Sequence, residues 1–303
     1  MEFRHITINE LKEWTEFCGQ IFPVGPEYFM RHYQNDPYKD INGIFIAKDE
    51  TGMASSVRVF TRYLRIKGTI IKVGGIGEVC TKESHRALGL SAKLLNMAIE
   101  YMNLNDMPLS ILHTGSNHHY SKLGWFAACS DYKVFILRKS ELKEGYTCTK
   151  ACDKDFPFLK ALYEEYAHTL GPVFVRSDEY YETWVKSELK NTYVLKKDNQ
   201  IVSYADCSLK PNQGVLVKEY IAGEYISMIK PFFYSICVAE SWPKIIAVSS
   251  PFAKDVRYST RIIDYGRMFR INKPFEIDGR IIRYQENLFP YLTDFPELHI
   301  DGY

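Results

Sequence analysis

The chain carries almost no surplus charge of either sign. Across 303 residues, 38 Lys and Arg face 37 Asp and Glu, a net charge of +1. That balance excludes the broad basic footprint of a nucleic-acid binder, and no basic run points to a membrane surface. No stretch approaches the uninterrupted apolar length of a membrane span. The opening MEFRHITINELKEW has no apolar core of the kind a signal peptide uses, so none is expected. Cysteine is sparse and scattered, with seven in all. Cys148 and Cys152 form the one close pair, and no His or Cys partners stand at zinc spacing. The thiols are therefore read as reduced, the location as cytoplasmic, and no metal is expected.

Apolar residues make up 46% of the chain, so a sizeable core is available, and the length suits two domains. Tyrosine is abundant at 22 residues, which suits both core and amphipathic pockets. Asn9 can cap a first helix with Leu11, Trp14, Cys18 and Ile21 on its apolar face. Pro26 opens a second, PEYFMRHY. Gly43 to Lys48 reads as a strand, with a return strand from Ser55. Tyr63–Ile66 and Thr69–Val73 read as a hairpin about Lys67-Gly68. Leu109–His113 and Tyr132–Leu137 are further strands.

Near residue 145 the pattern restarts. Asp155-Phe156-Pro157 leads a helix, Ser177 caps SDEYYETW, and strands follow at Thr192–Lys196 and Ile201–Cys207. Residues 215–221 suit a further strand and 223–241 a helix. The offset of roughly 150 residues marks one duplication rather than a solenoid period. The expected domains are 1–145 and 146–303, the second ending in a tail rich in Pro and aromatics.

Residues 74–95, GGIGEVCTKESHRALGLSAKLL, carry the chemistry. A short strand with Ile76 and Val79 meets the elbow Arg86-Ala87-Leu88-Gly89-Leu90-Ser91, and an amphipathic helix follows. Free N–H groups at a helix N-terminus, with the helix dipole behind them, favour an anion such as a pyrophosphate. Gly89 suits a place where backbone comes close to a ligand. The equivalent stretch of the second half, GVLVKEYIAGEYISMIK, has no such elbow.

The elbow resembles the Arg/Gln-x-x-Gly-x-Gly/Ala pattern of GNAT N-acetyltransferases, with Ser91 in the last place. Tyr120-Ser121-Lys122-Leu123-Gly124-Trp125-Phe126 resembles that family's Tyr-x-x-x-Gly-Phe/Tyr segment. The duplicated pattern is similar to tandem acetyltransferases related to the enhanced-intracellular-survival group. The resemblance implies an α/β fold of two GNAT-like domains. Each is a mixed, mostly antiparallel sheet with helices on both faces and splayed parallel strands at the cofactor cleft.

The implied activity is transfer of an acetyl group from acetyl-CoA directly to a primary amine on a small, antibiotic-like molecule. Val79, Cys80 and Thr81 would pair with the pantetheine arm. Arg86, Ala87, Leu88, Gly89, Leu90, Ser91 and Ala92 would hold the pyrophosphate, with Asn117 nearby. Tyr120 would protonate the departing thiolate. Phe22, Tyr28, Phe29, Tyr33 and His118 would wall the acceptor pocket.

Glu78 is open between two roles: general base in the acceptor cleft, or ion-pair partner of Lys72 or Arg58. A water chain is a second source of the base. The terminal carboxylate of Tyr303 is a third, although Tyr303 reads as a frayed end. Cys80 is read as a small hydrophobe rather than an acyl-enzyme nucleophile. The alternative function is a non-catalytic acyl-CoA-binding or partner-binding protein. Acceptor, acyl length and any homo-oligomer stay open, and neither nucleic acid nor membrane is expected as a partner.

Overall fold

A computed structural model of the chain describes residues 1–293, 295–296 and 301. Strands β1 (Glu2–His5), β2 (Ile44–Asp49), β3 (Gly52–Ile66), β4 (Thr69–Thr81), β5 (Leu109–His113) and β6 (Phe126–Ala127) belong to a first sheet. Helices α1 (Leu11–Ile21) and α2 (Pro26–Asn35) cover one face, and α3 (Leu90–Leu104) and α4 (Asn117–Ser121) follow β4 and β5. The expected helices form where the apolar spacing places them, but Asn9 does not cap the first: it lies in a 3-10 turn, Ile8–Glu10, which Thr7 and Glu10 cap reciprocally ahead of α1. The strands from Ser55 to Val79 differ: the sequence reading broke them into short pieces, yet they form two long arms joined at Lys67-Gly68. Burial explains the misreading. Met53 to Phe60 is buried at every position, so polar alternation disappears where both faces are covered.

The second sheet is built on the same plan. Strand β7 (Ser130–Ile136) leads to β8 (Tyr146–Lys150), β9 (Val173–Phe174), β10 (Thr192–Lys197), β11 (Gln200–Lys210), β12 (Gly214–Ile221), β13 (Ile245–Ser249), β14 (Thr260–Asp264) and β15 (Arg267–Ile271). The first sheet runs β1-β2-β3-β4-β5-β15-β6, and the second runs β8-β10-β11-β12-β13-β7-β14. Each has one parallel pair, β4 with β5 and β12 with β13.

The two orders match place for place, and they reveal an exchange. The strand beside β5 is β15, from the end of the chain, with Arg267 opposite His113 and Ile271 opposite Leu109. The strand beside β13 is β7, from the first half, with Tyr132 opposite Ser249. Each sheet thus borrows one interior strand across residue 145, and the short β9 of the second half also joins the first sheet, against β3. The largest apolar cluster also spans both halves, joining Phe60, Leu64 and Val73 to Trp184, Val217 and Phe233.

The parallel pair β4–β5 holds over only three residues, Val73–Gly75 against Leu109–Ile111. Beyond them β4 runs on to Thr81 without β5, which leaves a cleft. Gly74 lets α3 lie close here, because a Cβ would stand 2.3 Å from the Met102 sulfur.

Candidate active site

Opposite the splay, β4 bulges. Ser56 pairs with Cys80 while Arg58 pairs with Gly77, so two residues of β4, Glu78 and Val79, face one of β3. Glu78 takes φ 53° to make this turn. A left-handed backbone at a residue other than glycine is uncommon and costs on the order of 1 kcal/mol. The bulge turns the Glu78 side chain inward, where it is 6% exposed.

There it meets Arg58 at 3.4 Å. Lys72, the other partner considered, donates instead to the carbonyl of Asn105 at 2.9 Å. Arg58 also lies 3.6 Å from Asp36, and Arg62 donates to both oxygens of Asp36 at 2.9 and 3.1 Å. Burial pushes the Glu78 carboxyl up to about 7, against the pull of Arg58. Glu78 therefore gives up its proton at a higher pH than an ordinary glutamate, within reach of neutrality, which suits a base that takes and returns a proton.

Past Thr81 the chain turns at Glu83–His85 and enters α3. Ala87 and Gly89 both have positive φ, 64° and 74°. The first helical bond runs from the Lys93 N–H to the Gly89 carbonyl at 3.1 Å. The N–H groups of Leu90, Ser91 and Ala92 thus have no helical partner, and no side chain caps them. A Cβ built on Gly89 meets nothing within 4 Å, so the glycine is required by its conformation and the space above it is open.

A cavity of about 420 Å³ lies over these groups, lined by Thr81, His85, Arg86, Ala87, Gly89, Leu90, Ser91 and Ala92 from the elbow. Leu88 points away into solvent, 63% exposed. His119, Lys122 and Leu123 close the other wall. Sequence reasoning named His118, but His118 is exposed and His119 is the one turned inward, 3.3 Å from the Ser91 hydroxyl. Burial and nearby Lys122 hold His119 below its ordinary value, so the ring is neutral. Adjacent helical residues face different directions, and only the register on α4 decides between them. Asn117 is turned elsewhere, donating to the carbonyl of Tyr265 at 2.8 Å.

Tyr120 is buried, edge-on to Trp125 at 6.1 Å and to His119 at 5.0 Å. Burial raises its phenol, against a hydrogen bond with Thr114, so it carries its proton at neutral pH. Cys80 lies in the core beside Cys18, whose thiol burial pushes far up.

On the far side of β4, Phe29 and Tyr33 are core residues, while Phe22 and Tyr28 are partly buried against them. Tyr33 lies 5.5 Å from the Arg58 guanidinium. The Glu78 charge acts on the Tyr28 phenol, placing Tyr28 toward the same space. Arg58 was one of the two partners the sequence offered for Glu78, whereas two groups here carried no sequence signal: Asp36, and Glu188 of the helical segment 178–188, which sits 3.4 Å from His32. Their role depends on pairing across 20 to 157 positions of sequence.

A second buried charge group lies deeper. Arg176 grips Glu219 at 2.6 and 3.1 Å and Asp301 at 2.5 and 3.1 Å, and the Tyr204 hydroxyl donates to Glu219 at 2.6 Å. Tyr180 stands between the two groups, feeling Arg62 and Asp36 on one side and Arg176 and Asp301 on the other. The tail of the chain is thus anchored in the interior at Asp301. Tyr303 lies outside the described residues. Among the described residues no group of three His, Cys, Asp or Glu could hold a metal ion, and no helix is long and apolar enough to cross a membrane.

Residues 2–128 match the family model of the acetyltransferase (GNAT) domain. This part of the chain is a GNAT domain. The whole chain is similar in fold to a GCN5-related N-acetyltransferase of Anabaena variabilis, with a TM-score of 0.68 at 13% identity, covering 90% of this chain and 73% of that one. It is also similar to Eis1 of Mycobacterium abscessus, with a TM-score of 0.59 at 11% identity over 90% and 74% of the two chains. A third likeness is the N-myristoyltransferase of Saccharomyces cerevisiae solved with bound myristoyl-CoA, with a TM-score of 0.58 at 11% identity over 88% and 77%. Curated proteins give no sequence match. The mixed α/β architecture of two similar sheets agrees with that expected from the sequence, and acyl transfer is the chemistry of the GNAT family.

Proposed function

We propose that the chain transfers an acetyl group from acetyl-CoA to a primary amine of a small molecule, in one direct step within the first half. The observation that carries this reading is the open cradle at the start of α3. Its unpartnered N–H groups at Leu90, Ser91 and Ala92 face a cavity beside the unpaired end of β4. That is the chemistry a pyrophosphate needs.

In this reading Val79–Thr81 offer their unpaired edge to the pantetheine arm, and an N–H there polarises the thioester carbonyl. Glu78 accepts the proton that the attacking amine gives up. Arg58 and Asp36 fix its position. Tyr120 gives its phenolic proton to the departing sulfur. Phe22, Tyr28, Phe29 and Tyr33 wall the acceptor side. Cys18 and Cys80 stay spectators, because buried thiols without a base make poor nucleophiles.

Calorimetric titration with acetyl-CoA tests the first step, and thiol release with a panel of amines tests the second. Saturable binding with amine-dependent thiol release is expected. Absence of binding at about millimolar donor ends the proposal.

A further inference from the structure

A second cavity, about 820 Å³, lies at the seam of the two halves and shares no lining residue with the cradle. Its cations come from four separate stretches of chain. Arg65 ends β3, Lys67 sits on the hairpin turn, Lys133 is on β7, Lys254 follows β13, and Arg261 is on β14. One carboxylate, Asp131, is present, and it is already held by Arg261 at 2.5 Å and by the Ser250 hydroxyl at 2.7 Å.

Among the described residues the other cations of the lining have no carboxylate partner. Lys133 donates to the neutral carbonyl of Ala253 at 2.8 Å. Among the described residues, Arg65, Lys67 and Lys254 have no carboxylate within ion-pair distance. Among the described residues its lining therefore carries five cations against one carboxylate, while the whole chain carries a net +1. Concentrating like charge this way costs energy in the empty protein and is recovered when an anion enters. Tyr291 and Phe295 add an aromatic wall.

The exchange of strands makes the site. Lys133 and Arg261 are neighbours because β7 is paired with β14, placing Arg261 opposite Lys133. The hairpin of the first half then brings Arg65 and Lys67 over them. The site is remote from the bulge: Ile70, the partner of Arg65 on β4, is eight strand residues from Glu78, roughly 26 Å. An amine seated here does not reach a thioester at the bulge.

We infer that this cavity is a binding site for a phosphorylated small molecule, separate from the acyl-donor cleft. Arg65, Lys67, Lys133 and Lys254 hold the phosphate, and Tyr291 and Phe295 hold an apolar portion.

The test uses phenyl phosphate, titrated calorimetrically into the full chain at low ionic strength. Saturable binding is expected. The paired substitution Lys67→Glu with Lys254→Glu should weaken it about tenfold or more. Both side chains are exposed, so the thermal midpoint without ligand should not move. Ser91→Glu, which puts a carboxylate into the cradle, should leave phenyl phosphate binding unchanged. No saturable binding up to about 10 mM overturns the proposal. So does binding that the charge-reversed pair leaves intact, or that Ser91→Glu abolishes. The acetyl-CoA titration is read separately, since its failure concerns the cradle and not this cavity.

Discussion

Glu78→Gln separates the cost of burying a carboxylate from its use. In the folded chain the carboxyl is pushed up to about 7, and the ordinary value is 4.5. Below the ordinary value both folded and unfolded chains hold the proton, and ionisation contributes nothing. Between the two values the unfolded chain releases the proton while the folded chain keeps it. Stability therefore falls as pH rises through this window and levels off above it. The gap corresponds to about 3 kcal/mol at ~1.4 kcal/mol per unit.

Glutamine keeps the shape and cannot ionise, so its stability lacks this slope. Other groups titrate in the same range, and the useful quantity is the difference between the two proteins. Denaturant unfolding at about pH 5 and about pH 8 should show the variant gaining about 3 kcal/mol relative to the parent. Over the same range the parent's kcat/KM should rise through pH about 7. The variant's should be flat and lower by roughly 10²- to 10⁴-fold. A stability difference constant to within about 1 kcal/mol would refute the argument that Glu78 is held protonated by burial.

Tyr120→Phe should lower kcat by roughly 10²-fold with little change in KM for the donor, measured by thiol release; an unchanged kcat removes the phenol from the reaction. A fragment ending at residue 145 lacks β15, so β5 loses its partner from Arg267 to Ile271 and the core loses Phe269. It should not fold alone, and a cooperative unfolding transition in that fragment would contradict this. Asp301→Ala leaves Arg176 with one carboxylate in a site without water access. It should cost about 3–5 kcal/mol by denaturant unfolding; a loss under about 1 kcal/mol would mean the tail anchor is weak.

The local elements were legible because their causes are local. Helix starts at Pro26 and Ser177, the Lys67-Gly68 turn, and the positive-φ glycine at Gly89 all express backbone preferences within a few residues. The cradle motif belongs to the same class, since a helix N-terminus and its preceding turn are contiguous in the chain. So does the repeat of the two halves, which follows from the order of elements.

Pairing across the chain was decided only in three dimensions. Nothing in Tyr132–Leu137 distinguishes a strand that stays beside β5 from one that joins β13, because both sites bury the same apolar face. Asp36, Glu188 and Asp301 read as ordinary surface charges until the fold closes over them, and only the fold chooses Arg58 over Lys72 as the partner of Glu78. His118 and His119 differ by one position, and helical register alone aims one into the cavity. Sequence by itself determined most of the helices, many of the strands and the open turn before α3, through short-range sterics and hydrogen bonding. Tertiary structure decided which strands pair, which charges are buried together, and therefore where a carboxylate can hold its proton at neutral pH.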